Sequence, residues 1–414
     1  MDGQVGVGTQ VRAGRGEDVS ASRSSRRRFG KTALAAIALP MMTLLLGVIA
    51  PSAQGAPFSQ SPSPSPSASA TLSRAHSQGS SGQPAAGSVR QIPLLAYFYI
   101  WFNPSSWNRM KKDYPLIGRY SSSDLSIMRQ QVKMAKQAGI TGFLVSWKDT
   151  PVLNSRLAAL RSVAAAAGFK LGIVIEGRDF YGNPISMRKV RQSFDYLAMH
   201  YGSDPVFNIF GKPLVAWSGT WLFSTKQLTS ISRAYASKLI ILATEKQPSD
   251  YQLIAKLFRG DAYYWSSADP RRTPGYASKL AEFSKVVHQH HGLWIAPAAP
   301  GFDARLLGGV RDIRRQRGQT LRLELNAAIA SSPDAVGLIS WNEYSENSEI
   351  EPSQEYGGTA LKIIAAVEHA KAPVVQNFNS SDPAGFRAGL SQLVILCVFL
   401  LLLGGSVAIV VRRR

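Results

Sequence analysis

Short apolar runs alternate with longer stretches of helical periodicity through the middle of this chain. The runs IPLLAYFYIW, GITGFLVSW, KLGIVIEG, KPLVAWSG, KLIILATE, DAYYWSS, GLWIAPAAP and AVGLISWNE all have strand length. The helical stretches include DLSIMRQQVKMAKQAG, NSRLAALRSVAAAAG and SMRKVRQSFDYLAMHYG, then TKQLTSISRAYAS, DYQLIAKLF, GYASKLAEFSKVVHQHH, LRLELNAAIASS and GTALKIIAAVEHA. Several close on glycine, the residue a helix C-terminus prefers. Eight strands, each followed by a helix, fill residues 91–371 and predict a (β/α)₈ TIM barrel, an α/β fold. A doubly wound open sheet needs the same alternation, but no GxGxxG follows the first strand and the count closes at eight.

Two other apolar stretches flank the alternation. TALAAIALPMMTLLLGVIA follows the basic RSSRRRFGK, so residues 32–53 are expected to be a signal peptide or signal anchor behind a cytoplasmic basic segment, 1–31. Residues 390–411, LSQLVILCVFLLLLGGSVAIVV, carry no charge and are long enough to span a bilayer as a transmembrane helix. The basic tail 412–414 then belongs in the cytoplasm. The expected localisation is the cell membrane, with the barrel extracytoplasmic and the membrane a partner of the C-terminal helix. Residues 54–90, rich in Ser and Pro, and 372–389 read as linkers. The single cysteine, Cys397, lies inside the second span, so the barrel depends on its core alone.

Lys and Arg outnumber Asp and Glu by 47 to 26, a net charge of +21. The basic residues are scattered and no nucleic-acid motif stands among them, so no nucleic acid is expected as a partner. Against this basic background WNEYSENSEIEP, at the end of the eighth apolar run, places Glu343, Glu346, Glu349 and Glu351 within nine residues. Barrel chemistry gathers at the C-terminal ends of strands. Those ends carry Tyr99 and Trp101, Trp147, Glu176, Trp217, Glu245, Tyr264 and Trp265, and finally Asn342 with the glutamates. Aromatic faces pack against sugar rings while carboxylates and amides bind hydroxyls, so this set, with Glu351, is expected to bind substrate. Glycoside hydrolysis needs two carboxyl groups. Glu343 and Glu346, three residues apart, would face one side if the chain turned helically there. No metal or cofactor is expected, since the HQHH cluster at His288 lacks zincin spacing, and serine-nucleophile chemistry has no GxSxG to support it.

WNEYSENSEIEP resembles the WNEWHEGTQIEP-type signature of family-99-like glycoside hydrolases, the endo-α-mannosidase group and its relatives. YFYIWFNPSSWN, QVKMAKQAGITGFLVSWK and APGFDAR with GQTLRLELNAA resemble further parts of that family, so the likeness covers nearly all of 91–371. It implies a (β/α)₈ barrel and an oligo- or polysaccharide substrate, with hydrolysis of α-linked, mannosidic-like glycans. It also implies catalytic roles for Glu343, as base on the sugar 2-hydroxyl, and Glu346, as acid and then base, with retention of configuration. Tyr344–Ser345 stands where the family has Trp-His, and Asn347–Ser348 where it has Gly-Thr. These departures are expected to line the site and leave open a second reading, a catalytically inactive glycan-binding or envelope module. A third, a basic surface protein that binds anionic polymer or lipid, rests on charge alone.

Overall fold

The structure, a computed structural model, describes residues 91–179, 182–370 and 372–373. The expected signal or anchor segment 32–53, the linker 54–90, the transmembrane segment 390–411 and both basic ends lie outside the described residues. Among the described residues no helix is long and apolar enough to cross a membrane.

The elements run β1 (Leu94–Tyr99), α1 (Leu125–Gln137), β2 (Gly142–Trp147), α2 (Pro151–Ala167), β3 (Lys170–Glu176), α3 (Met187–His200), β4 (Leu214–Ser218) and α4 (Thr225–Tyr235). They continue with β5 (Ile240–Leu242), α5 (Pro248–Ile254), β6 (Gly260–Ala262), α6 (Tyr276–Gln289), β7 (Leu293–Ala298), β8 (Phe302–Asp303), β9 (Asp312–Ile313), α7 (Gln319–Ala330), β10 (Ala335–Leu338) and α8 (Thr359–Val367). The expected helices are all present. Their starts follow from local chemistry: the Asp124 carboxylate accepts from the Ser126 N–H at 2.7 Å, and Ser224 caps α4 with Gln227 answering from the third helical position. The NSRLAALRSVAAAAG helix begins three residues earlier than its periodicity suggests, because Pro151 occupies the first turn behind a Thr150 cap. The β8–β9 hairpin, an excursion after β7, has no counterpart in the sequence reading; its strands are two residues each, too short for a periodic signal.

All strands of the main sheet are parallel, in the order β5-β4-β3-β2-β1-β10-β7-β6. The remaining gap between β5 and β6 is closed by Ala243, whose N–H donates to Gly260 O at 2.9 Å and whose carbonyl accepts from the Ala262 N–H at 2.8 Å. This closure excludes the open doubly wound sheet. Side chains alternate along each strand between two cores. Leu95, Tyr97, Leu144, Val174, Leu214, Ala216, Leu242 and Ile295 fill the barrel interior. Leu94, Phe98, Phe143, Val145, Ile173, Val215 and Trp294 pack outward against the helices. Gly337 is small for a reason: a Cβ there would come within 2.9 Å of the Tyr97 ring inside the barrel.

Candidate active site

The segment after β10 leaves the barrel and folds straight back on itself. Ser340 N–H donates to Ser348 O at 2.8 Å, Ile350 N–H returns to Ser340 O at 2.8 Å, and Glu351 N–H bonds Trp341 O at 2.8 Å. Trp341 N–H ties the base of the loop to Tyr97 O of β1 at 2.7 Å. With both arms fixed, Glu343 to Asn347 form a short tip at the barrel mouth. The tip is a turn rather than the helical turn the Glu343/Glu346 spacing suggested, closed by Ser348 N–H on Glu343 O at 3.3 Å. Asn347 sits there at φ 49°, a left-handed conformation that glycine adopts freely and that Asn tolerates better than most residues. That accounts for Asn where the resembling signature has Gly.

Both tip carboxylates are buried, Glu343 at 7% and Glu346 at 4% exposure, yet their surroundings differ. Glu343 Oε1 accepts the Ser345 N–H at 3.0 Å, and the buried Lys111 ammonium lies within electrostatic reach. Burial raises its pKa to about 7; the Ser345 bond and Lys111 hold it from rising further, while Glu176 pushes upward. Glu346 Oε1 has no hydrogen-bond partner. Burial, then the charges of Glu343 and Glu176, raise Glu346 well above the ordinary carboxyl range. The arrangement thus leaves Glu343 the more readily ionised group and Glu346 the one that keeps its proton, a division that separates base from acid.

The parity of the strands decides which other residues join them. Tyr99 shares the inward parity of Leu95 and Tyr97, Glu176 that of Val174, and Tyr264 that of Ala262. The Tyr99 and Tyr264 hydroxyls are hydrogen-bonded to each other, and Tyr264 packs edge-on against Tyr97 at 4.5 Å. Burial first, and then the nearby charges of Glu343 and Glu346, raise both tyrosines well above the usual phenol range, so the phenols stay neutral. Ser146, also inward, donates to Glu176 Oε1 at 2.5 Å. Trp101 is half-buried at the rim, its ring 4.6 Å from Tyr99 and 5.6 Å below the Lys148 ammonium.

Other expected substrate contacts lie elsewhere. Trp147 and Trp217 share the outward parity of Phe143, Val145 and Val215, and are fully buried between barrel and helices. Trp147 stacks on Tyr196 of α3, and Trp217 packs against Phe194 and Phe223. Trp265 leans on Tyr263 and Tyr276 beneath Lys279. Glu245 is buried behind the loop after β4, where the Thr220 hydroxyl bonds it and burial raises its pKa. Asn342 spends its side chain on the protein: Oδ1 accepts Tyr99 N–H at 2.8 Å, while Nδ2 donates to Tyr99 O and to the Tyr120 hydroxyl, each at 3.0 Å. Glu351 accepts from Gln131 at 2.7 Å, Tyr120 at 3.0 Å and Tyr344 at 3.1 Å. Both brace the loop from beneath. Tyr344 likewise faces Trp107 and Glu351 rather than the mouth, contrary to the expectation that it lines the site. His288 of the HQHH run bonds Asp334 Oδ2 at 3.0 Å.

Four participants escape a reading by strand ends. Lys111 lies in the long loop after β1, and Arg315 in the loop before α7, where it holds Glu349 at 2.5 Å. Tyr120 and Gln131 come from the β1–α1 region to meet Glu351. Only Ser146 carried a signal, through the same inward parity as Leu144.

A closed parallel barrel with two buried carboxyl groups of unequal environment at its C-terminal mouth is the arrangement found in carboxylate-dependent glycoside hydrolases. The family profile of Glycosyl hydrolase family 99 matches residues 108–370, most of the barrel, and the chain belongs to that family. Glycoprotein endo-alpha-1,2-mannosidase of Xenopus laevis is 22% identical over 274 residues, a match covering 58% of this chain and 58% of that protein. The chain therefore spans little more than half the length of this curated relative. The GH99 endo-alpha-mannosidase structure from Bacteroides thetaiotaomicron superposes with a TM-score of 0.59 at 20% identity, covering 67% of this chain and 96% of that one. A structure described as a glycoside hydrolase-like protein gives a TM-score of 0.53 at 16% identity, covering 68% and 94%. At these identities the structural likeness speaks to the fold.

Proposed function

We propose that this chain hydrolyses α-mannosidic glycans with Glu343 as base and Glu346 as acid. The observation that carries the reading is the unequal burial chemistry of the two carboxyls on one clamped tip. Glu343, ionised first, removes the proton from the sugar 2-hydroxyl, and O2 attacks C1 from the face opposite the leaving oxygen. An α-mannoside suits this step because its 2-hydroxyl and its glycosidic oxygen lie on opposite faces of the ring. Glu346 gives its proton to the departing oxygen, leaving a 1,2-anhydro sugar. Glu346, now ionised, takes a proton from water as that water opens the three-membered ring at C1. Glu343 returns its proton to O2, and two inversions give net retention. Tyr99 and Tyr264, neutral donors beside both groups, are placed to bond sugar hydroxyls, and Trp101 offers a rim face for stacking.

The inactive-module reading draws on Tyr344–Ser345. Tyr344 turns into the core, however, and Ser345 supplies the N–H that Glu343 accepts, so neither substitution removes a group from the acid–base pair. Relatives of the chain bear mannosidase names, and this supports mannose as the sugar. The segments 32–53 and 390–411, each basic on the flank that belongs in the cytoplasm, support a membrane-tethered enzyme working outside the cell. The test is the product anomer formed from an α-mannosidic oligosaccharide, followed by NMR: the α-anomer appears first if the reading is right. First appearance of the β-anomer, or no cleavage across a panel of α-mannosides, defeats it.

A further inference from the structure

Beside the reactive tip lies a cavity of about 630 Å³, bounded by the β8–β9 hairpin, the turn before α7 and the start of α8. That volume is in the range of small-ligand sites. It adjoins the proposed catalytic pair. Asn347, which follows Glu346, lines one wall; Asp303 lines another, and its N–H donates to Glu346 O at 2.6 Å.

The lining is cationic. Lys112, Arg305, Arg314, Arg315 and Arg317 face three acids, Asp303, Asp312 and Glu355. Two of those acids are already engaged: Asp303 by Lys112 and Arg305, and Asp312 by Arg305 at 3.0 Å. Glu355 is exposed at the edge. Arg314 and Arg317 are exposed and, among the described residues, enter no ion pair. Arg317 and its neighbour Gln316 adopt φ of 54° and 49°, a left-handed conformation uncommon for such residues, at the cavity wall. Arg315 is more deeply placed, at 9% exposure. Its terminal nitrogens hold Glu349 and Asn347, yet its Nε–H has no acceptor. Two helices also begin at this cavity, α7 behind Gly318 and α8 behind Gly358, and neither has a side-chain cap. The preceding turns take part of their first N–H donors, Gln319 and Thr320 N–H bonding the Gln316 and Arg315 carbonyls and Thr359 N–H bonding Tyr356 O. The helix starts therefore add only the field of their dipoles beside the arginines.

The geometry points to an oxyanion subsite that continues the glycan cleft. A phosphate or carboxylate group carried by the glycan is held here by Arg314 and Arg317 against the starts of α7 and α8, while the neighbouring sugar lies over Glu343 and Glu346. This inference rests on the glycosidase reading of the tip and names an anionic glycan as its substrate class.

The test uses the full chain with Glu346→Gln, which leaves bound glycan uncut. It is titrated calorimetrically with a neutral α-mannosidic oligosaccharide, with the same oligosaccharide bearing a phosphate monoester, and with inorganic phosphate. The phosphorylated oligosaccharide is expected to bind about tenfold more tightly than the neutral one, a difference of about 1.4 kcal/mol. Inorganic phosphate competes with that gain. Adding Arg314→Ala and Arg317→Ala, both exposed positions, brings the ratio of the two affinities close to one. Equal affinities in the parent protein, or a ratio that survives the double substitution, overturn the subsite. Phosphate that binds without any gain for the phosphorylated glycan marks a site for the free ion and also overturns it. Failure of the glycosidase reading shows separately: the unsubstituted chain then leaves both oligosaccharides intact, while the affinity ratio and its dependence on the two arginines persist.

Discussion

The two halves of the loop after β10 put the same side chain to opposite uses. All four glutamates are buried, and burial raises every one of them, Glu351 to about 7 and Glu349 to about 8 as well as the tip pair. A perturbed pKa therefore does not mark the site. What separates the halves is the partner. Glu351 receives three side-chain donors, and Glu349 meets Arg315 at 2.5 Å, which offsets part of the cost of burying charge. Glu349 also keeps one buried oxygen without a partner, but its other oxygen carries the Arg315 ion pair. Glu346, by contrast, has an unpartnered buried oxygen and, among the described residues, no ion pair. Glu343 has only Ser345 of its own loop and an ammonium nearby. The second half holds the turn in place; the first half leaves its carboxyls less engaged by the protein, as the proposed acid–base roles require.

This contrast can be broken most sharply by exchanging function for fold. Glu343→Gln and Glu346→Gln should each lower kcat/KM on an α-mannosidic oligosaccharide by about 10³-fold, the scale of general acid–base catalysis, without lowering the melting temperature. In the other half, Arg315→Ala leaves the buried Glu349 and Asn347 carbonyls and the Glu349 carboxyl without their donor and should cost about 3–5 kcal/mol, read as a fall in melting temperature of about 10 °C. A melting temperature unchanged by Arg315→Ala would remove the structural half of the comparison.

Subtler changes sharpen it. With Glu343 as the proposed base and Glu346 as the proposed acid, kcat/KM should rise through a pKa near 7 and fall again at higher pH. Lys111→Met removes a cation that favours the Glu343 carboxylate, so the rising limb should move to higher pH while the falling limb stays. The same shift couples to folding. A carboxyl raised from its unfolded 4.5 to about 7 contributes stability that is complete below pH 4.5 and lost as pH climbs to 7. Glu343→Gln should flatten that part of the melting-temperature profile. The smallest effect expected is at the aromatics: Trp101→Ala raises KM several-fold, whereas Trp147→Phe lowers stability and leaves KM alone.

Much of this architecture was legible in the chain because period-2 and period-3.6 patterns report burial directly. The eight strands, the eight helices and the closure of the barrel all follow from them. Family-99 membership likewise agrees with the WNEYSENSEIEP resemblance. Residue roles were less legible, since a strand end presents residues to both faces. Extending the Leu95–Tyr97 and Phe143–Val145 alternation by one step assigns Tyr99 inward and Trp147 outward. Applied to β4, the same step sends Trp217 to the helices. No such rule reaches Lys111 or Arg315. Each sits on a loop whose path is set by long-range contacts, and nothing within a few residues of either foretells its carboxylate. Asn342 and Glu351 differ from the sequence reading for a related reason: a polar residue beside a site looks the same in sequence whether its partners are a ligand or neighbouring groups of the protein.

The most direct test of the division between the tip carboxyls uses a leaving group that needs no proton. On an α-mannosyl fluoride that fits the cleft, kcat/KM reports only steps through the first departure, where fluoride leaves unaided. Glu346→Gln should then retain kcat/KM within about tenfold of the parent protein, while Glu343→Gln loses about 10³-fold or more, as it does on the oligosaccharide. Equal losses for the two variants on the fluoride would contradict the assignment of acid to Glu346 and base to Glu343.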